Sequence, residues 1–468
     1  MYLLPALATI VGIGFMAAMM AVIPTVLEPV GTITPADTAF AVPTEGSAAD
    51  FLQSVCPCFE GIPDFATTER DISNQFFKQN ESIPDPRYLS TWAWAWGQFL
   101  DHDIVITKES TAPEDCYNIS FNQDINIPVK RAQSQTTGGC RESRTGLSPM
   151  IDASTVYGDY MDPARINSLR VENSCNLKVD EQNFPLDQLC GDVRCNEHVV
   201  LHTLHTLFVR EHNRLCDILR ADINFNNEEE RFWKARSIVY SIIQHITYSQ
   251  WLPSLFGNQR SLLVTSGGQP LLGDGLRITN EFAIAAFRFG HSMVQEKLGP
   301  YNLTDLFFQP NFLQTEGIEN IITHATTTRA EKVDNQVVDT LRDMLFGTFG
   351  MDLVSLNLFR AREVGIGTYR QINQCFQTQG AWVDDVRDPL LGMLSEPLEP
   401  GSSLPRTIAV IVAEQFRRLR DNDPNFYTKR VAQIGNPYYS IVRGSSLSNI
   451  ITRNTQLTNM KSNVFYVT

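Results

Sequence analysis

The run Trp92-Ala-Trp94-Ala-Trp96-Gly-Gln98-Phe-Leu-Asp101-His102-Asp103 ends an apolar stretch in three adjacent titratable side chains. An imidazole near neutral pH is suited to passing protons, and carboxylates are suited to holding hard cations. On a helix, consecutive side chains are turned by about 100° from one another, so these three would face three separate partners. Gln98 and His102, four residues apart, would share a face. The alternation of tryptophan and alanine also suits a strand, but that shared face favours a helix. Further on, Ser148-Pro-Met150-Ile-Asp152-Ala-Ser154 offers hydroxyls, a carboxylate and a backbone carbonyl at alternate positions. With Asp103 they make the hard-oxygen set that Ca²⁺ takes, although alone such a loop is more often a solvated turn.

The elements that must position these residues read as helices. Apolar residues recur at helical spacing over 197–220, 226–250, 280–298, 334–349 and 404–420, and few segments alternate convincingly. The expectation is one mainly α-helical domain over 51–468, with very little β. Residues 1–30 contain an uncharged apolar run, 3–25, long enough for a signal peptide or a membrane anchor. Residues 31–50, rich in Pro, Thr, Ala and Gly, read as a linker. Ala39-Phe40-Ala41 resembles a small-x-small cleavage site but lies well past that run, and no Lys or Arg precedes the run; a cleaved signal and a secreted protein are the expectation. The alternative is a membrane anchor with the domain on the lumenal or extracellular face.

A formal charge of −14 and the absence of dense Lys/Arg runs argue against nucleic-acid binding. Nine cysteines, with Asn-x-Ser/Thr acceptors at Asn80, Asn118 and Asn302, fit an oxidising compartment. Cys116 with Cys140, and Cys175 with Cys190, are plausible short-range pairs, and the odd count leaves at least one thiol over.

WGQFLDHDIVIT (96–107), PMIDASTVYG (149–158), CGDVRCNE (190–197), REHNRL (210–215), FRFGH (287–291) and LNLFRAR (356–362) occur in one order along the chain. In that order and spacing the sequence resembles the animal haem peroxidase superfamily, the group of myeloperoxidase, lactoperoxidase and peroxidasin. The resemblance spans 51–468 and implies a single large helical haem peroxidase domain. It also implies an enzyme that uses hydrogen peroxide to oxidise halides, pseudohalides or small phenolic donors through an oxo-ferryl intermediate. By the same resemblance His102 is the distal acid/base, Gln98 its neighbour at the peroxide, and Arg194 the catalytic arginine. His291 is implied as the haem iron ligand, Asn357 as its hydrogen-bond partner and Arg360 as a propionate partner. Asp101 and Glu197 match the carboxylates that esterify haem b in mammalian members. Asp103, Ser148, Met150 through its carbonyl, Asp152 and Ser154 match the family's Ca²⁺ site. His202, His205, His212 and His245 match no ligand role and read as structural.

The chain departs from the pattern in three places. His198 follows Glu197 where myeloperoxidase has a methionine linked to haem through sulfur; a histidine cannot form that sulfonium. Arg362-Glu363-Val364-Gly365 replaces the usual Arg-Asp-His-Gly. The segment after Cys375 is short, so Cys375 is expected to lose its usual partner. Two other readings compete. A fatty-acid dioxygenase or cyclooxygenase of the same superfamily would carry a tyrosine three residues before the proximal histidine, where this chain has Arg288. A non-catalytic adhesion or matrix protein would be expected to lose Gln98, His102 or Arg194, and all three are present.

Overall fold

The computed structural model describes residues 50–59, 67–122, 125–159, 162–186, 190–264, 275–345, 352–378 and 387–467. The expected leader and nearly all of the linker lie outside them. The five longest α-helices among the described residues are α1 (Trp92–Ile104), α2 (Val199–Arg220), α3 (Glu228–Ile246), α4 (Leu353–Val364) and α5 (Arg406–Asn422). Strands form only two-stranded antiparallel ribbons: β1 (Cys116–Asn122) with β2 (Ile125–Lys130), β3 (Ser134–Thr137) with β4 (Cys140–Ser143), and β5 (Lys297–Leu298) with β6 (Tyr301–Asn302). The mainly α expectation holds.

The tryptophan run is helical because each indole points to a different side and finds its own acceptor. Trp92 Nε1 donates to Thr326 Oγ1 at 3.0 Å, Trp94 Nε1 to Gln295 Oε1 at 3.0 Å, and Trp96 Nε1 to Thr247 Oγ1 at 3.1 Å. A helix that is apolar on all sides belongs in the core. Accordingly α1 packs against α2, the short helix Ser154–Tyr157 and the segment Ala286–Met293.

Local capping sets the other ends. α2 begins at Val199, not at 197, because His198 is extended and its Nδ1 accepts the Val200 N–H at 3.0 Å. Glu197 is thereby left off the helix. Asn227 caps α3 through the Glu230 N–H, and three glutamates in its first turn complement the helix dipole. Asp352 caps α4 through the N–H groups of Val354 and Ser355. Gly365 closes α4 at φ 72°, a left-handed conformation that favours glycine.

Two expected helices are irregular. Residues 280–298 divide into a wide π-turn, Glu281–Ala285, and a tight 3₁₀ segment, Ala286–Met293, with the break at Ala285. Of 334–349, only Thr340–Met344 is helical among the described residues. There the Asp334 carboxylate accepts the Gln336 N–H, and Val337 pairs with the backbone of Phe77 and Gln79, so the backbone bonds elsewhere than into a helix.

The disulfides correct both proposed pairings. Cys56 joins Cys375, Cys58 joins Cys140, Cys175 joins Cys216, and Cys190 joins Cys195. The thiol left over is Cys116. Cys375 has a partner after all. The N-terminal segment runs beside β4, where Phe51 bridges Arg144, and this brings Cys58 to Cys140. Cys216 lies on the buried face of α2, one turn after His212, and that face carries it to Cys175.

Candidate active site

His102 is buried on the last turn of α1. Its Nδ1 lies 3.7 Å from Asp192 Oδ1 and its Nε2 lies 3.6 Å from Glu197 Oε2, both longer than a hydrogen bond. Burial, reinforced by the Arg194 cation, holds the imidazole well below its ordinary pKa, so it stands as a neutral base. Gln98, one turn earlier, donates from Nε2 to Glu197 Oε2 at 3.0 Å. Burial also pushes the Glu197 carboxyl up to about 7.

Arg194 is aimed by a carboxylate two residues before it. Its Nε donates to Asp192 Oδ1 at 2.9 Å and its Nη2 to Asp192 Oδ2 at 2.8 Å, a bidentate pair. Nη2 also donates to the Val105 carbonyl, just past the end of α1, at 3.0 Å. The Arg194 and Arg288 cations both approach Asp101 Oδ2, at 3.9 and 3.8 Å. Asp101 Oδ1 is buried with no hydrogen-bond partner among the described residues.

In Ala286–Met293, the segment whose Arg288 approaches Asp101, His291 Nδ1 meets Asn357 Nδ2 of α4 at 3.0 Å. In this orientation the amide nitrogen donates to Nδ1 and the ring proton sits on Nε2; turning the amide over would let Asn357 Oδ1 accept an Nδ1–H and free Nε2 for a ligand. Nothing lies within 4 Å of where a Cβ at Gly290 would stand. Arg360 follows Asn357 by three residues on α4; its Nη1 donates to Glu363 Oε2 at 2.8 Å and its Nη2 lies 3.7 Å from Glu109. Glu363, one of the departures from the pattern, is buried and also accepts from Ala132 N and Arg141 Nη2.

The expected cation loop converges on α1. Asp103 Oδ1 accepts the Thr155 N–H at 2.8 Å and Oδ2 the Ala153 N–H at 3.2 Å. Ser154 Oγ donates to the Asp103 carbonyl at 2.8 Å, and Ser148 Oγ to Asp152 Oδ2 at 2.9 Å. Met150 is buried in the same loop, and Asp103 and Asp152 are at most 1 % exposed. Burial and the neighbouring Asp152 push Asp103 well above the usual carboxylate range. Two buried carboxylates this close suit a divalent cation.

The residues expected at the site therefore fall into three connected groups around α1. Two further residues belong to these groups. Asp192, inside Gly-Asp-Val-Arg, is betrayed only by its place two residues before an arginine. Arg288 enters through its approach to Asp101, a contact that its place three residues before His291 does not reveal. Cys175, His212 and Cys216 also cluster, but the two sulfurs form a disulfide, and His212 bonds Tyr157 Oη at 2.8 Å and the Cys175 carbonyl at 2.8 Å. His198, packed edge-on against Trp94 and Phe307, is committed to capping α2.

The residues present fit a haem: a histidine beside an asparagine amide that can set its tautomer, open space beside Gly290, and a buried carboxylate oxygen without a partner among the described residues. Comparison with known proteins points the same way. The chain is 28% identical to mouse eosinophil peroxidase over 85% of its own length and 68% of that protein. It is 27% identical to Peroxinectin A of Dictyostelium discoideum, over 78% of this chain and 82% of that one. Human peroxidasin homolog matches at 27% over 86% of this chain, which spans only 35% of that protein. Among solved structures, Peroxidase A from Dictyostelium discoideum superposes with a TM-score of 0.75 at 24% identity, covering 89% of this chain and 95% of that one. A fatty acid alpha-dioxygenase of Arabidopsis thaliana shares the fold at a TM-score of 0.70 and 17% identity, covering 88% and 81%. The family model for animal haem peroxidases matches residues 64–385 and 381–465, and the chain belongs to that family.

Proposed function

We propose that this protein is a hydrogen peroxide-dependent haem peroxidase that oxidises a halide, a pseudohalide or small phenolic donors. The observation that supports the reading is that Gln98, His102 and Arg194 all reach the Asp101–Asp192–Glu197 carboxylates, while Asn357 meets His291 and Arg288, three residues before it, approaches Asp101. His291 would hold the iron, and Asp101 and Glu197 would esterify haem b. When bound, haem would supply the two-electron redox chemistry of peroxide reduction and donor oxidation.

The chain's own residues do the rest. Neutral His102 takes a proton from one peroxide oxygen and returns it to the departing one. Gln98 orients the peroxide and holds Glu197. Arg194, fixed by Asp192, stabilises the negative charge that grows on the leaving oxygen, and needs no reorganisation to do so. Asn357, with its amide oxygen turned to Nδ1, would accept the ring N–H and leave His291 Nε2 for the iron. Asp103, Ser148, Met150, Asp152 and Ser154 would bind Ca²⁺ and so anchor the end of α1.

His198 gives no sulfur link to the haem, so bromide, iodide, thiocyanate and phenols are expected to be better donors than chloride. Efficient hypochlorous acid production at neutral pH would refute that. The decisive test pairs an absorption spectrum with a peroxide-reduction assay for the wild type and His102→Ala. Loss of peroxide reactivity with haem retained supports the reading; an unchanged rate sinks it. Acid-acetone treatment should leave haem attached, and clean extraction would contradict the esters. The alpha-dioxygenase likeness keeps a fatty-acid oxygenase in view. Arg288 in place of tyrosine argues against it, and oxygen uptake with linoleate in the absence of peroxide would revive it.

The domain would span 51–468, and the protein would be secreted after cleavage of a leader, or anchored to a membrane if that segment is retained. No helix among the described residues is long and apolar enough to cross a membrane. Asn80, Asn118 and Asn302 are all exposed, as glycan acceptors must be.

A further inference from the structure

Arg194 and the carboxylate that aims it both lie inside a covalent ring. Cys190 and Cys195, five residues apart, are disulfide-bonded and both buried, and the chain between them is Gly191-Asp192-Val193-Arg194. The outer face of this ring is pressed against backbone. A Cβ at Gly191 would stand 2.4–2.5 Å from backbone atoms of Val156, Tyr157 and Gly158, so only glycine fits there. The Asp192 N–H donates to the Thr155 carbonyl at 3.0 Å, and the Cys195 N–H donates to the Asp192 carbonyl at 3.3 Å. The inner face carries the bidentate Asp192–Arg194 pair toward His102 and Asp101. Val193, at the apex, is 61% exposed, so no packing on the solvent side holds the turn.

We infer that the Cys190–Cys195 bridge is a positioning element for catalysis: it fixes the turn that aims Arg194 at the peroxide. The inference rests on the peroxidase reading above. A turn anchored on one face and open at its apex has freedom to rock, and a misplacement of about 1 Å can cost about a hundredfold in rate. Closing the turn covalently removes that freedom. Asp192 then transmits the fixed backbone to the guanidinium through two parallel hydrogen bonds.

The bridge acts through Arg194, so its effect must depend on Arg194 being present. The test is a double-mutant cycle on haem-loaded protein, with Cys190→Ala plus Cys195→Ala as one change and Arg194→Ala as the other. The readouts are the rate of reaction with hydrogen peroxide and the affinity of the ferric protein for cyanide. Arg194→Ala should slow the peroxide reaction about 10²–10³-fold, as loss of a preorganised charge does. Opening the bridge should slow the wild type about tenfold and the Arg194→Ala protein less than twofold, a non-additivity that a merely structural bridge would not show. Hydrogen exchange at the Asp192 and Cys195 amides should quicken when the bridge is absent. If the alanine pair fails to accumulate folded, Cys190→Ser with Cys195→Ser keeps the side-chain size and allows the same cycle. Equal factors in both backgrounds, or no effect on the wild type, overturn the inference. A wild type that does not react with peroxide at all instead overturns the functional reading.

Discussion

At the scale of single residues, the site is built from charges and bases whose environments move them off their ordinary values, and one such group lies outside the catalytic set. Glu281 is buried in the wide turn before the His291 segment, where it accepts N–H bonds from Val55 and Cys56. Burial pushes its carboxyl up to about 7 from an ordinary 4.5. The folded protein therefore holds this proton more tightly than the unfolded chain. The associated stability is complete below pH 4.5, declines as pH rises toward 7, and is gone above it. Glu281→Gln keeps an oxygen for the two amides but has no proton to lose. Its stability relative to wild type should rise across that window by up to about 3 kcal/mol. Urea unfolding of both proteins at several pH values checks this, and a constant difference would count against it. His102, Arg194 and His291 were legible in the sequence because motif order marks them. Asp192 was not, because a carboxylate two residues from an arginine reaches it only when the turn between them is tight, and that tightness comes from tertiary contact.

Among the elements, α1 is the part on which the others depend. Trp96 is fully buried, packs against Phe99, Phe208 and Phe465, and bonds Thr247. Trp96→Ala is expected to cost about 3–5 kcal/mol of stability, read from denaturant melts, because the cavity lies where three elements meet. A loss below about 1 kcal/mol would mean that α1 is held mainly by its polar anchors. Helices with a side-chain cap and a long apolar stripe, such as α2 and α3, could be read from sequence to within a few residues. The segment carrying His291 could not. Its apolar spacing is helical, but the wide turn at Glu281–Ala285 and the tight one that follows depend on what packs against them. Disulfides were the least legible feature. Nearness along the chain suggested Cys175 with Cys190, whereas the buried face of α2 delivers Cys216 instead.

For the molecule as a whole, two long-range ties hold the parts of the candidate site together: the Asp103–Asp152 loop and the N-terminal cystines. With Ca²⁺ bound between Asp103 and Asp152, a chelator should lower the unfolding temperature and added Ca²⁺ should restore it. Saturation at a hundred times Kd is worth about 2.7 kcal/mol. Asp103→Asn should abolish the response to Ca²⁺, leaving an unfolding temperature that neither chelator nor added Ca²⁺ moves. A wild type indifferent to chelator would overturn the site. Cys56 and Cys58, two residues apart, tie one short segment both to Cys375 and to the β3–β4 ribbon at Cys140. The crowding of indoles around α1 has an optical consequence. Of the chain's six tryptophans, three lie on α1 and a fourth, Trp251, donates to its Ala93 carbonyl at 2.7 Å. Four of the six indoles therefore lie on or against the helix that would border the haem. Such a strongly absorbing ring would drain their emission by energy transfer. Loading of the cofactor can then be followed as a fall in intrinsic fluorescence, with no added label.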